Sequence, residues 1–373
     1  MPKAATTHMQ HCIALARKGQ YTASPNPIVG CVIVKNDKLI AEGWHQAPGQ
    51  AHAEINALQQ AGNDAKDATL YVSLEPCAHW GRTGPCCDAV IAAGVSKVVF
   101  GMLDPNPLVS GQGIAKIKAA GIEVQGPLMA EECAELNRGF IKRITQGLPY
   151  VRCKMAISLD GRTAMASGES KWITGELARG DVQHLRAASD AIVTGVGTIL
   201  ADDPSLNVRM ESVVETQPLR VIVDSSLQVS PQSKCLQLGG NILLATAIPE
   251  LELETELESK ALAYPDQVEI KSFAGANAQV DLLALLKYLA QEKGCNDILL
   301  ESGAKLAGAM LNAELVDELI TYLAPKLLGS DARPLFELPG ISEMSEQLAL
   351  EFIEVEMLGK DCKMRSRVVK RSN

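Results

Sequence analysis

His52-Ala53-Glu54, Pro76-Cys77 and Pro85-Cys86 bring an imidazole, two thiols and a carboxylate into one half of the chain. Thiolate and imidazole are zinc donors, and a catalytic zinc keeps three protein ligands and leaves a fourth position to water. Zinc lowers the pKa of that water to about 7, which supplies hydroxide at neutral pH. A carboxylate beside the water that does not ligate the metal can take its proton and pass it to a departing amine. Hydrolytic deamination is the chemistry this implies, and His-x-Glu followed by Pro-Cys and a second Cys is its signature in zinc deaminases. The expected ligands are His52, Cys77 and Cys86, with Glu54 as the proton shuttle. Eight residues separate the two cysteines here, where the generic signature has two. Cys87 competes with Cys86 in principle, but of two adjacent side chains only one normally points at a given metal. Pro85 repeats the Pro76-Cys77 arrangement and favours Cys86.

Such groups converge only if rigid elements carry them. A helix beginning near His52 and another over residues 87–93 would present them from two helix starts. Strand patterns at 30–34, 38–44, 69–74 and 97–100, the first two able to pair across an Asn36-Asp37 turn, alternate with helical patterns at 6–18, 114–120 and 130–144. Strands separated by helices predict a largely parallel sheet covered on both faces. Gly147-Leu148-Pro149 is a stop signal and marks a boundary. The expected domains are therefore 1–147 and 148–373, two α/β units in tandem.

In the second unit, strands are expected at 150–157, 191–194, 219–223, 241–245, 297–300 and 315–323, with a helix at 176–188. The glutamate-rich stretch 250–260 reads as a solvated helix or loop. Gly195-Val196-Gly197 lacks the third glycine of a dinucleotide fingerprint, so a Rossmann site is not supported. Polar clusters stand out between the strands: Ser158 to Arg162, Ser167 to Thr174, Asp202 to Arg209 and Glu301 to Gly308. A glycine-flanked helix start directly after a buried strand favours an anion through its free N–H groups and dipole.

Composition bounds these readings. The chain has 373 residues, 47% hydrophobic and 21% charged, which is the make-up of a folded protein of two or three domains. A formal charge of −9 with 4% aromatic residues argues against a nucleic-acid binder. No run of 18 apolar residues and no signal-like apolar core occur, so the expectation is a cytoplasmic protein without a membrane partner. Ten cysteines are too sparse for a disulfide scaffold and should be thiols or metal ligands.

The run Glu75-Pro76-Cys77-Ala78-His79-Trp80-Gly81-Arg82-Thr83-Gly84-Pro85-Cys86 resembles the bifunctional riboflavin-biosynthesis deaminase/reductases, the RibD family. Pro25-Asn26-Pro27, Gly43-Trp44-His45, Asp104-Pro105-Asn106-Pro107 and Ala324-Pro325-Lys326-Leu327-Leu328-Gly329 also match its pattern, and the likeness extends from about residue 8 to 330. The family usually has Pro where this chain has Gly84. The resemblance implies a cytidine-deaminase-like α/β/α domain followed by a dihydrofolate-reductase-like α/β domain, with Zn2+ and NADPH as cofactors. It implies deamination of a phosphoribosylaminopyrimidine and then reduction of its ribosyl chain, in a homo-oligomer, dimer or tetramer. Asn26, His45, His79, Arg82, Asp104 and Asn106 would then line the pyrimidine and ribose-phosphate pocket of the deaminase. Ser170, Arg186, Leu206, Arg209 and Glu301 would hold the substrate of the reductase. Ala156, Trp172, Thr198, Asp202, Ser225, Gly303, Ala304, Lys305, Leu306, Ala307, Gly308 and Ala309 would contact NADPH. Two rivals differ in class: a deaminase of nucleosides or of bases in nucleic acid, and a structural zinc site in a non-enzymatic binding protein.

Overall fold

The computed structural model describes residues 3–80, 84–210 and 216–370, and the chain divides into two compact units, Met1–Gly147 and Leu148–Asn373. The first unit contains strands β1 (Gly30–Lys35), β2 (Lys38–Trp44), β3 (Thr69–Leu74), β4 (Lys97–Met102) and β5 (Glu123–Gln125). Its helices are α1 (Lys3–Ala16), α2 (Ala53–Ala61), α3 (Cys86–Ala92), α4 (Gln112–Ala119), α5 (Ala130–Leu136) and α6 (Arg138–Gln146). The sheet order is β2-β1-β3-β4-β5, with β1 antiparallel to both neighbours and β3, β4 and β5 parallel. This mixed sheet corrects the expectation of a largely parallel one. Asn36 and Asp37 both take positive φ, 51° and 60°, which is the geometry that closes a two-residue hairpin and forces β2 to run against β1.

Both faces of the sheet are covered. Met9, Cys12 and Leu15 of α1 pack on Val32, Val34 and Val99. On the opposite face Ala57, Val90 and Ile117 meet Cys31, Leu70, Val72 and Val98. A Cβ at Gly43 would collide with the backbone of Ala53 and Ala57, so glycine lets the start of α2 sit directly on β2. The helix expected at 130–144 is two helices broken at Asn137. The Asn137 amide clamps both backbone groups of Ile28, accepting from its N–H at 2.8 Å and donating to its C=O at 3.0 Å. That clamp fixes the Pro25-Asn26-Pro27 segment from the far end of the unit.

The second unit contains β6 (Tyr150–Ser158), β7 (Arg162–Ala164), α7 (Glu176–Ala187), β8 (Ala191–Gly195), α8 (Val196–Asp202), β9 (Leu219–Val223) and α9 (Lys234–Gln237). It continues with β10 (Ile242–Thr246), α10 (Glu250–Ser259), β11 (Val268–Ser272), α11 (Leu282–Gln291), β12 (Asp297–Leu300) and α12 (Ala304–Asn312). Strands β13 (Glu318–Ala324), β14 (Arg333–Pro334), β15 (Leu350–Leu358) and β16 (Asp361–Val368) complete it. The nine-stranded sheet has the order β11-β10-β9-β8-β12-β6-β13-β16-β15. From β11 to β13 neighbours are parallel, whereas the hairpin β15–β16 adds an antiparallel edge. The glutamate-rich stretch is helix α10.

The chain proceeds outward from β8 to β11, then returns to place β12 between β8 and β6 before crossing to β13. Strand order thus reverses at β8, β12 and β6, and crevices outside the carboxyl ends of such strands are where open α/β sheets bind ligands. Arg220, 1% exposed, gives the β9 side its rigidity by donating to the carbonyls of Cys235, Leu238, Gly239 and Gly240.

Candidate functional site

In the first unit His52 is the N-cap of α2 and Pro85 that of α3, so His52 and Cys86 flank two neighbouring helix starts. Asn56 secures the first, donating to the Trp44 carbonyl at 2.8 Å. The donor atoms of His52, Cys77 and Cys86 lie within 4.8 Å of one another. His52 Nδ1 is 3.1 Å from Cys86 Sγ and 3.6 Å from Cys77 Sγ. A tetrahedral ion with bonds of about 2.0–2.3 Å holds its donors roughly 3.5–3.8 Å apart, so this donor set fits zinc. Soft thiolates and one imidazole are also the chemistry zinc selects.

Electrostatics put Cys77 in its ligating state. The Cys86 thiol and His52 together bring the Cys77 thiol down to about 4, which is thiolate at neutral pH. Cys86 is pushed up, first by its bond to Cys77 and then by burial. Glu54 is 3% exposed, bonds to Cys86, and has its pKa raised to about 7, first by burial and then by Cys77. Cys87 turns the other way, into the core beside Val90, with its Sγ 3.8 Å from Asp88 Oδ1. Replacing Cys86 by Ser should therefore abolish stoichiometric zinc, while Cys87→Ser should retain it. Metal analysis of the purified variants distinguishes the two, and zinc loss in Cys87→Ser alone would reverse the assignment.

Around this centre the Asn26 amide nitrogen meets His45 Nε2 at 3.0 Å, and His45 Nδ1 lies 3.2 Å from the Ala51 carbonyl. The His45 and His52 rings stand edge to face at 5.3 Å. Burial lowers the pKa of His45, which keeps it neutral. Asp104, raised mainly by burial, feels the charge of exposed His79, and its carboxylate accepts the Asn106 N–H at 2.8 Å. Asn26, His45, Asp104 and Asn106 are thus fixed in place, while Arg82 lies outside the described residues.

Sequence reasoning missed Glu75. Its buried carboxylate accepts four backbone N–H groups, from Asp104, Gly111, Gly113 and Ile114, at 2.8–3.2 Å. One residue before Pro76-Cys77, it ties the metal loop to the loop carrying Asp104 and Asn106. Only its place in the Glu-Pro-Cys run could have signalled it.

In the second unit the candidate residues gather at the carboxyl ends of β6, β8 and β12. Arg186 on α7 grips Glu301 through two bonds, Nε–Oε1 at 2.6 Å and Nη2–Oε2 at 3.0 Å, and donates to the Asn207 carbonyl at 3.0 Å. Burial would raise Glu301, but Arg186, Lys154 and Arg209 outweigh it and hold the carboxylate below its usual range. Lys154 on β6 stands beside this pair, its pKa lowered by burial against the opposing pull of Glu301. Ser170 donates to Asp202 at 3.2 Å. Trp172, 65% exposed, lies under Arg179 at 4.5 Å, and its carbonyl accepts from Lys326 at 2.7 Å. Gln183 on α7 accepts the backbone N–H of Arg209 at 2.9 Å.

A nucleotide cofactor fits this face. Helices α8 and α12 start beside each other, directly after parallel neighbours β8 and β12. Ideal Cβ atoms on Gly197 and Gly303 meet nothing within 4 Å, so both backbones are open to an approaching phosphate. Ala156 lies near the end of β6, Thr198 is half-buried on α8, and Ser225 follows β9 with its carbonyl taken by Ala247 and Thr246. Gly303, Lys305 and Ala309 are exposed, and Ala304 and Leu306 are half-buried. Three of the expected contacts are limited to backbone groups. Ala307 is fully buried in the core, and Gly308 is pressed against the backbone of Glu337, so neither offers a side chain to a ligand. Leu206, 2% exposed at φ 50°, points into the core and leaves only its backbone for a substrate.

Comparison with known proteins finds a family for each unit. Residues 2–102 match the family model of the cytidine and deoxycytidylate deaminase zinc-binding region, and residues 149–364 that of the RibD C-terminal domain. The chain is 46% identical over 365 residues to the riboflavin biosynthesis protein RibD of Escherichia coli K12, covering 95% of this chain and 96% of that one. The RibD of Haemophilus influenzae is 46% identical over 370 residues, covering 95% of each chain. Among solved structures, Acinetobacter baumannii RibD superposes with a TM-score of 0.88 at 44% identity over 99% of both chains. A deaminase/reductase of Thermotoga maritima gives 0.87 at 32% identity, covering 98% of this chain and 99% of that one. The first unit has the cytidine-deaminase-like fold, the second the dihydrofolate-reductase-like fold, and the chain belongs to the RibD family.

Proposed function

We propose that this chain is a bifunctional enzyme of riboflavin biosynthesis. It deaminates 2,5-diamino-6-(5-phosphoribosylamino)pyrimidin-4-one and then reduces the ribosyl chain to give 5-amino-6-(5-phosphoribitylamino)uracil. The observation that carries the reading is the convergence of His52, Cys77 and Cys86 with the buried, non-ligating Glu54 beside them. A structural zinc site is usually closed by a fourth protein ligand, and here a carboxylate stands where proton transfer needs one. Zinc, held by His52, Cys77 and Cys86, supplies acidified water. Glu54 takes a proton and returns it to the leaving amine, while Asn26, His45, His79, Asp104 and Asn106 orient the pyrimidine and its phosphoribosyl group, with Arg82 as a further phosphate ligand.

In the second domain NADPH supplies a hydride. Arg186 and Arg209 hold the substrate phosphate end, a task suited to guanidinium geometry, with Ser170, Glu301 and the Leu206 backbone completing the cleft. Trp172, Thr198, Asp202, Ser225 and the start of α12 hold the cofactor. Lys154 and Asp202 meet charge that develops during reduction. Stripping zinc with a chelator tests the division of labour. Ammonia release should stop, while NADPH oxidation with the deaminated intermediate continues at its former rate; persistence of ammonia release would refute the metal assignment.

The substrate is a small molecule: the charge of −9 disfavours nucleic acid, and no helix among the described residues is long and apolar enough to cross a membrane. Reduced thiolates at the centre suit the cytoplasm. The chain assembles as a homo-oligomer, with β15 as the contact between copies. This strand ends the nine-stranded sheet and exposes Phe352 at 71% and Met357 at 65%, with Leu350, Ile353 and Val355 beside them. Its Glu351, Glu354 and Glu356 are paired with Arg367, Arg365 and Lys363 of β16, so two copies of the edge meet without repulsion. An antiparallel strand edge is self-complementary about a two-fold axis. Phe352→Glu should lower the sedimenting mass, and an unchanged mass would move the contact elsewhere.

A further inference from the structure

A partly buried ionic network between α7 and strands β13, β15 and β16 is used by no step above. Tyr322 on β13 donates to Asp181 Oδ2 of α7 at 2.5 Å. Lys363 on β16 reaches the same oxygen at 2.9 Å and Glu356 of β15 at 3.1 Å. Tyr322 is 1% and Lys363 9% exposed. Two residues before β16's lysine, Asp361 accepts the N–H of Gly175, the N-cap of α7, at 2.6 Å. Leu358 packs with Ala178, Val182, Ile320 and Tyr322 under the same helix. The C-terminal hairpin therefore holds α7 at its N-cap and again at Asp181.

Helix α7 is also the element that connects the substrate groups. Arg179 lies over Trp172, Gln183 fixes the Arg209 backbone, and Arg186 grips Glu301. Asp181 precedes Arg186 by five residues, so a rotation or slide of α7 at Asp181 moves Arg186 with it.

We propose that Asp181, Tyr322, Lys363 and Asp361 are positioning residues for the reduction. The hairpin β15–β16 sets the rotation and height of α7, and through it the placement of Arg186 and Arg209 against the substrate phosphate. The idea rests on the reading of Arg186 as a substrate ligand. Buried ion pairs contribute little net stability against apolar substitutes but fix one arrangement of the elements that carry them. Removing Lys363 leaves Asp181 without its compensating charge, and α7 shifts to relieve it. Misplacement of about 1 Å is enough to cost roughly 100-fold in an oriented reaction.

The test is steady-state kinetics of full-length Lys363→Met, Lys363→Arg, Tyr322→Phe, Asp361→Ala and Arg186→Gln. The reduction is assayed with the deaminated phosphoribosylaminopyrimidine, and ammonia release serves as a control for the separately folded first unit. Lys363→Met should raise KM for that substrate about tenfold or more, with a smaller change in KM for NADPH and unaltered ammonia release. Lys363→Arg, which keeps the charge, should restore most of the affinity. Tyr322→Phe and Asp361→Ala, milder changes that leave the core packed, should raise the same KM in the same direction. If these variants lower only the melting temperature and leave KM unchanged while Arg186→Gln raises it, the positioning role is overturned. If Arg186→Gln also leaves KM unchanged, the ligand reading of Arg186 fails and the positioning role falls with it.

Discussion

Glu54→Gln should retain stoichiometric zinc and lose deamination, with NADPH oxidation from the deaminated intermediate unchanged. Glutamine keeps the shape and the bond to Cys86 but cannot carry the proton from water to the leaving amine. Positioned proton transfer contributes about 10²–10⁴-fold, so the loss should reach that range when ammonia is followed directly. Zinc content measured on the same preparation separates loss of the shuttle from loss of the metal. Wild-type ammonia release in a zinc-replete Glu54→Gln protein would rule the shuttle out.

The second large effect is expected at Arg186. Its two bonds to Glu301 and one to Asn207 join α7, the end of β12 and the loop after α8. Breaking a buried pair by removing one partner costs about 3–5 kcal/mol, because the other charge is left without compensation. That is a cost in stability. In catalysis, losing a hydrogen-bonded charge contact to the substrate is worth about 2–5 kcal/mol. Arg186→Gln should therefore reduce kcat/KM for the reduction by roughly 100-fold, while deamination in the other unit proceeds normally. Pairing it with Glu301→Gln in a double-mutant cycle isolates the coupling between them. Additive effects would mean that the two side chains act independently and that the bidentate contact is incidental.

The metal centre was legible in the sequence because its information is local. Two helix starts carry His52 and Cys86 and the loop after β3 carries Cys77, each introduced by a recognisable His or Pro-Cys, and spacing plus chemistry suffices to group them. The repeated Pro-Cys arrangement favoured Cys86 over Cys87, and in the structure the first faces His52 and Cys77 and the second the core. Glu75 was hidden for the opposite reason. Its four partners sit at Asp104 and at 111–114, and nothing in the sequence joins those positions to residue 75.

Strand positions in the first unit were readable from apolar runs, and so was the turn at Asn36-Asp37 that joins 30–34 to 38–44, but the antiparallel pairing of β1 with β3 was not. The Asn36-Asp37 hairpin turns β2 back on β1 and makes the sheet mixed. The break at Asn137 was invisible within a continuous helical pattern, since its cause is a clamp on Ile28 more than a hundred residues away. The C-terminal hairpin gave no signal either. A register shift between Phe352 and Glu354 interrupts the alternation that would mark β15, and its apolar residues face outward. In the reductive cleft, polar clusters identified the loops but not which members face a ligand, as Ala307, Gly308 and Leu206 show.

The most direct measurement is a single time course on the zinc-loaded chain with 2,5-diamino-6-(5-phosphoribosylamino)pyrimidin-4-one, run with and without NADPH, following ammonia and nicotinamide absorbance together. Ammonia should appear without NADPH at the same rate as with it. NADPH should be consumed only after a lag that matches accumulation of the deaminated intermediate. Ammonia without any NADPH oxidation would restrict catalysis to the first unit, and absence of both would contradict the assignment of this substrate.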